Sequence, residues 1–126
     1  MNNLFLVFLG GGVGSMARYG MMQLISRATP GSNFPWHTLG VNISGAFIIG
    51  LLIEILALRV SAPAPLRYLL VTGFIGGYTT FSAFSMEMAL MLERGDYVYS
   101  ALYALASVIG TVAVVFAGMA LVRWVG

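Results

Sequence analysis

Four long apolar stretches account for most of the chain, and only short polar segments separate them. A helix that crosses a bilayer needs about 20 mostly apolar residues. The first stretch runs from about Asn3 to Ile25, the second from about Trp36 to Leu58. The third runs from about Leu66 to Leu92 and the fourth from about Tyr97 to Trp124. Between them lie Thr29-Pro30-Gly31-Ser32-Asn33, the proline-rich Ser61-Ala62-Pro63-Ala64-Pro65 and the tight polar Glu93-Arg94-Gly95-Asp96, all turn chemistry. Trp36, Tyr68, Tyr97, Tyr99 and Trp124 fall near the ends of stretches, where an interfacial aromatic belt would place them. The expected fold is all-α and membrane-integral: one four-helix domain over residues 1–126, with no room for a second.

Composition agrees. Charged residues make up 8% of the chain, against roughly 25% in soluble domains. Without cysteine there is no disulfide, thiolate chemistry or cysteine metal site. One histidine and four carboxylates leave little material for catalysis, so an enzyme is not expected. The six basic residues are scattered arginines, and no basic run points to nucleic acid. The N-terminal Met1-Asn2-Asn3 lacks the basic region of a signal peptide and reads as the start of the first span.

The third stretch is interrupted. Gly73-Phe74-Ile75-Gly76-Gly77-Tyr78-Thr79-Thr80-Phe81-Ser82-Ala83-Phe84-Ser85 places paired glycines and paired threonines at bilayer depth. An unpaired backbone group there costs several kcal/mol, so a broken helix is tolerated only inside protein or along a cavity. Such breaks free carbonyls and N–H groups to hold ions.

Four spans put Arg59, Arg67 and Arg123 on one side and Arg27 and Arg94 on the other. Counting Arg18 with the second group makes the sides equal. With so little bias, the chain is expected to insert both ways, and two oppositely oriented copies can then pair as an antiparallel, dual-topology homodimer; the alternative is that lipid composition or the N-terminal residues settle one orientation.

Several side chains stand out as candidates. Gly10, Gly14 and Arg18 share one face of the first helix, where small residues allow close helix approach. Arg18 is expensive in hydrocarbon, so it either snorkels to the interface or takes a buried structural or vestibule role. Thr38 and Asn42 form a polar stripe on the second helix; Tyr103, Ser107 and Thr111 form one on the fourth. Each alone is most often interhelical glue. Beside a broken helix they read as a donor-lined track without buried carboxylates, suited to a small anion. Phe81 and Phe84 follow the break at i, i+3, and aromatic rings present a positive edge. Glu54, Glu87 and Glu93 lie toward span ends, within reach of water, and only Glu87 is placed to face a vestibule.

The chain resembles the Fluc (CrcB) fluoride channels. The resemblance is carried by Gly10-x3-Gly14-x3-Arg18-Tyr19, by Gly40-Val41-Asn42-Ile43-Ser44-Gly45 and by Gly76-Gly77-Tyr78-Thr79-Thr80-Phe81-Ser82-Ala83-Phe84, and it covers the whole chain. It implies an antiparallel homodimer with two fluoride pores in a bacterial inner membrane. It also implies a central structural sodium ion held by backbone carbonyls, which match Gly76 and Thr79. Phe81 and Phe84 match the aromatic box, Asn42 the pore asparagine, and Tyr103, Ser107 and Thr111 the polar track. Two departures are visible: Tyr78 where the family usually has leucine, and Ala83 where it usually has threonine.

Selectivity for fluoride asks a path to replace its tight hydration with close donors while excluding larger anions by width. Flow is expected to be passive, since nothing resembles an ATP site. The rival readings are a small multidrug exporter, which needs a carboxylate in its first span, and a non-transporting membrane subunit. Residues 3–25 contain no carboxylate, and a passive scaffold has no reason to keep a polar, broken third helix.

Overall fold

Each of the four apolar stretches becomes a helix of bilayer-crossing length in the computed structural model, which describes residues 2–59 and 63–126. Helix α1 spans Asn3–Ala28, with the Asn2 side chain accepting from the Leu4 N–H. Helix α2 spans Trp36–Glu54 and continues as π-helix through Ile55–Arg59. The third span begins with the short α3, Ala64–Arg67, whose proline sits in the first turn where its missing N–H costs nothing. It continues as a π-helix over Tyr68–Ile75 and ends in the single turn α4, Gly76–Tyr78. After the break come α5, Phe81–Glu93, and α6, Tyr97–Val125. Ser61 and Ala62 of the expected proline-rich loop lie outside the described residues.

The break falls within the expected segment, at the paired threonines. The paired glycines Gly76 and Gly77 are helical, and the chain leaves the helix at Thr79 and Thr80, both extended. The glycines serve packing instead. A Cβ on Gly77 would run into the backbone of Gly11, and one on Gly14 into the backbone at Phe74. Gly10 meets the backbone of Leu69, Gly73 and Phe74 in the same way. In lipid, helix association rests on such close van der Waals approach rather than on hydrophobic burial. The same device recurs where α2 crosses α6: a Cβ on Gly50 would strike Val115, and one on Gly118 would strike Phe47.

The turn between α5 and α6 follows its chemistry. Gly95 adopts φ +79°, its N–H reaches the Leu92 carbonyl, and the Asp96 N–H reaches that of Met91 at 2.9 Å. This is a Schellman ending, which needs the left-handed residue that glycine supplies. The aromatic residues at span ends (Trp36, Tyr68, Tyr97, Tyr99 and Trp124) are all exposed. Glu54 corrects an expectation. Rather than reaching water it is buried at the end of α2, where both Arg123 Nε and Nη2 donate to its Oε1.

Candidate functional site

An asparagine from the neighbouring helix closes the break. Asn42 Nδ2 donates to the Thr80 carbonyl at 2.9 Å, and Asn42 Oδ1 accepts from the Thr80 N–H at 2.8 Å. Thr80 in turn caps α5, its hydroxyl accepting from the Ala83 N–H at 3.2 Å. In a continuous helix the Thr80 N–H would go to the Gly76 carbonyl and the Ala83 N–H to that of Thr79. Both donors are engaged elsewhere. The Thr79 N–H still reaches the Ile75 carbonyl at 2.9 Å.

Five of the expected fluoride-path residues share one cavity of about 410 Å³. Asn42, Phe81, Phe84, Ser107 and Thr111 line it, together with Thr79 and Thr80 from the break. The rings of Phe81 and Phe84 do project together, with centroids 5.4 Å apart. Phe84 also lies against Tyr103, at 4.9 Å, whereas Phe81 is 77% exposed.

The hydroxyl stripe of α6 is not uniform. Tyr103 is fully buried and its hydroxyl donates to Glu87 Oε1 at 2.8 Å. Thr111 donates to the carbonyl of Ser107 one turn earlier. Ser107 alone has a buried hydroxyl with no partner among the described residues. Thr38 is also spoken for, donating to Glu87 Oε2 at 2.8 Å. The expectation of a track without buried carboxylates is therefore wrong. The Glu87 side chain is only 14% exposed, and two of the track's hydroxyls are spent on it. Spacing along single helices located the hydroxyls, but Glu87 comes from α5, across the bundle.

Glu87 does face a cleft, of about 360 Å³, formed with the loop after α1 and with His37 and Arg94. His37 Nε2 lies 3.0 Å from Glu87 Oε2. Sequence reasoning passed over His37; its position next to Thr38, as the only histidine, was the available signal. Arg18 is half-buried and lines a third cleft with Ser15, Ser82, Ala83 and Met86, on which Thr80 also borders. Gly76 is exposed and stands outside the Asn42 cavity.

Residues 5–119 match the family described as CrcB-like protein, Camphor Resistance (CrcB). The chain belongs to the CrcB family. It is 50% identical over 123 residues to the fluoride-specific ion channel FluC of Agrobacterium fabrum, covering 98% of each chain. It is 48% identical over 121 residues to FluC 2 of Nitrobacter hamburgensis, covering 96% of this chain and 97% of the relative. A FluC from Rhizobium etli is 47% identical over 123 residues, again with 98% of each chain covered. These relatives are named as ion channels, not enzymes. With four helices able to span a bilayer, this CrcB protein is a multi-pass membrane protein.

Both residues expected to depart from the family pattern have a place in the structure. Tyr78 is buried, stacks on Phe74 at 6.0 Å and brings its hydroxyl to 2.9 Å from that of Ser44, joining α4 to α2. Ala83 puts a methyl group in the Arg18 cleft while its N–H caps onto Thr80.

Proposed function

We propose that the chain is a passive, fluoride-selective channel that lets fluoride leave the bacterial cytoplasm across the inner membrane. The observation that carries this reading is the Ser107 hydroxyl, buried and unpartnered beside Asn42, Phe81 and Phe84. A buried donor left without an acceptor costs about 1–3 kcal/mol. A small anion passing through the cavity supplies that acceptor. The Phe81 and Phe84 ring edges offer positive quadrupole where a carboxylate would repel. The relatives' names point to fluoride as that anion.

The working unit in this reading is an antiparallel homodimer with two such paths. The near-balance of arginines supports it, as does Phe81, a large ring that its own chain leaves uncovered beside the break. A structural sodium ion fits the break. The carbonyls of Gly76 and Thr79 are the ones whose helical donors have gone to Asn42 and Thr80. They are hard oxygen ligands of the kind an alkali cation takes. Among the described residues no cluster of histidine, cysteine and carboxylate competes for a transition metal. Gly76 and Thr79 would hold the ion, with Asn42 keeping the first carbonyl free and the Thr80 hydroxyl the second. The ion would neutralise the carbonyl dipoles and tie two chains together.

Fluoride-loaded liposomes carrying the purified protein test the channel. They should empty once a potassium ionophore relieves the electrical gradient, while chloride-loaded ones stay full. Equal chloride efflux, or efflux that requires a proton gradient, sinks the reading.

A further inference from the structure

The carboxylate of Glu87 accepts two hydrogen bonds and touches one imidazole. The Tyr103 and Thr38 hydroxyls hold it from inside the bundle, each at 2.8 Å. The imidazole of His37, with Nε2 3.0 Å from Oε2, approaches from the cleft side and belongs to a side chain that is 36% exposed. Phe84 packs on Tyr103, so the carboxylate lies one side chain away from the cavity that holds Ser107. A negative charge there opposes an approaching anion. Histidine is the side chain whose charge changes between about pH 5 and 8.

We propose that His37 sets the charge at the mouth of the anion path: its protonation cancels that of Glu87 and admits anions faster in acid. The inference rests on the channel reading given above. The groups facing His37 leave it as the switch. From α5 and its C-terminal turn come Glu87 and Arg94, from α6 comes Tyr103, and the loop over residues 29–35 contributes no titratable side chain. Arginine stays charged and a buried phenol stays neutral across this interval. The pair's charge therefore goes from minus one to zero as the imidazole gains its proton. Charge focusing in clefts changes ion access by about tenfold or more, and one unit at a partly wet mouth belongs at the low end.

The test measures fluoride efflux from liposomes between pH 7.5 and 5.5, with protein-free vesicles subtracting the leak of neutral HF. The readout is the ratio of flux at the two pH values, which does not depend on protein yield. For the native chain the acid ratio should be on the order of three- to tenfold; for His37→Gln, which keeps a donor but does not titrate, it should be close to one. Because the chain has a single histidine, its labelled NMR signal reports the same event and should change over the same pH interval as flux. A native ratio of one, a His37→Gln ratio equal to the native one, or a histidine signal that titrates while flux stays constant overturns the proposal. Absence of fluoride flux at every pH overturns the channel reading itself, and this inference with it.

Discussion

Asn42 and Thr80 form a two-bond pair in which a side-chain amide takes the place of a missing turn of backbone. The pair satisfies Thr80 completely while leaving the Gly76 carbonyl without its usual donor. Asn42→Asp keeps the shape and the acceptor but turns the donor to the Thr80 carbonyl into a second oxygen. Stranding that carbonyl should cost about 1–3 kcal/mol. The purified protein should melt earlier and its fluoride flux should collapse. Unchanged melting would mean that the pair does not hold the break.

Ser107 and Tyr103 lie one turn apart on the same stripe and should behave in opposite ways. Ser107→Ala removes a hydroxyl with no bond to lose, so thermal stability should hold or rise slightly while flux falls. Tyr103→Phe removes a bond to a carboxylate, a class worth about 1.5–3 kcal/mol, so it should lower stability first. A stability loss in Ser107→Ala comparable with that in Tyr103→Phe would show that Ser107 has a structural partner.

Phe81 and Phe84 separate path from packing. Phe81 is exposed, so Phe81→Ile disturbs little within its own chain. Phe84→Ile touches Tyr103 and should cost about 1–1.5 kcal/mol. If ring edges conduct the anion, both variants lose flux by far more than they lose folded protein. Normal conduction by two well-folded variants would make the rings packing residues.

Sodium removal tests the break as a cation site. Because the proposed ligands are carbonyls, Thr79→Ala should keep its sodium dependence. A ligand shared between chains stabilises the dimer by mass action, by about 2.7 kcal/mol at a hundred times its dissociation constant. Dimer dissociation measured after verified exchange of sodium for a large organic cation should therefore increase. No change in dimerisation or flux would remove the ion from the scheme.

Gly14 faces the backbone of Phe74 with no space for a methyl group. Gly14→Ala should force α1 away from the third span at a cost of about 1–3 kcal/mol. Gly12→Ala, two residues along the same helix and facing open space, is the matched control. Equal yields of the two variants would contradict the close crossing.

Apolar run length determined the four helices and their approximate ends, because spanning a bilayer is a one-dimensional requirement. Turn chemistry placed Gly95, and the four-residue spacing of Gly10 and Gly14 was enough to foresee a close helix contact. Asn42 and Thr80 are 38 residues apart, and Thr38 and Glu87 are 49 apart. Which of them met was invisible from either helix alone. The interrupted segment held both a glycine pair and a threonine pair; Gly77 stays helical against α1, and the break falls at Thr79 and Thr80, where Asn42 satisfies the Thr80 backbone. Likewise Tyr103, Ser107 and Thr111 are equivalent along one helix. Only the helices facing them decided that the first would be tied to Glu87 and the second left free. A hydrogen bond is a property of two surfaces, and periodicity describes one.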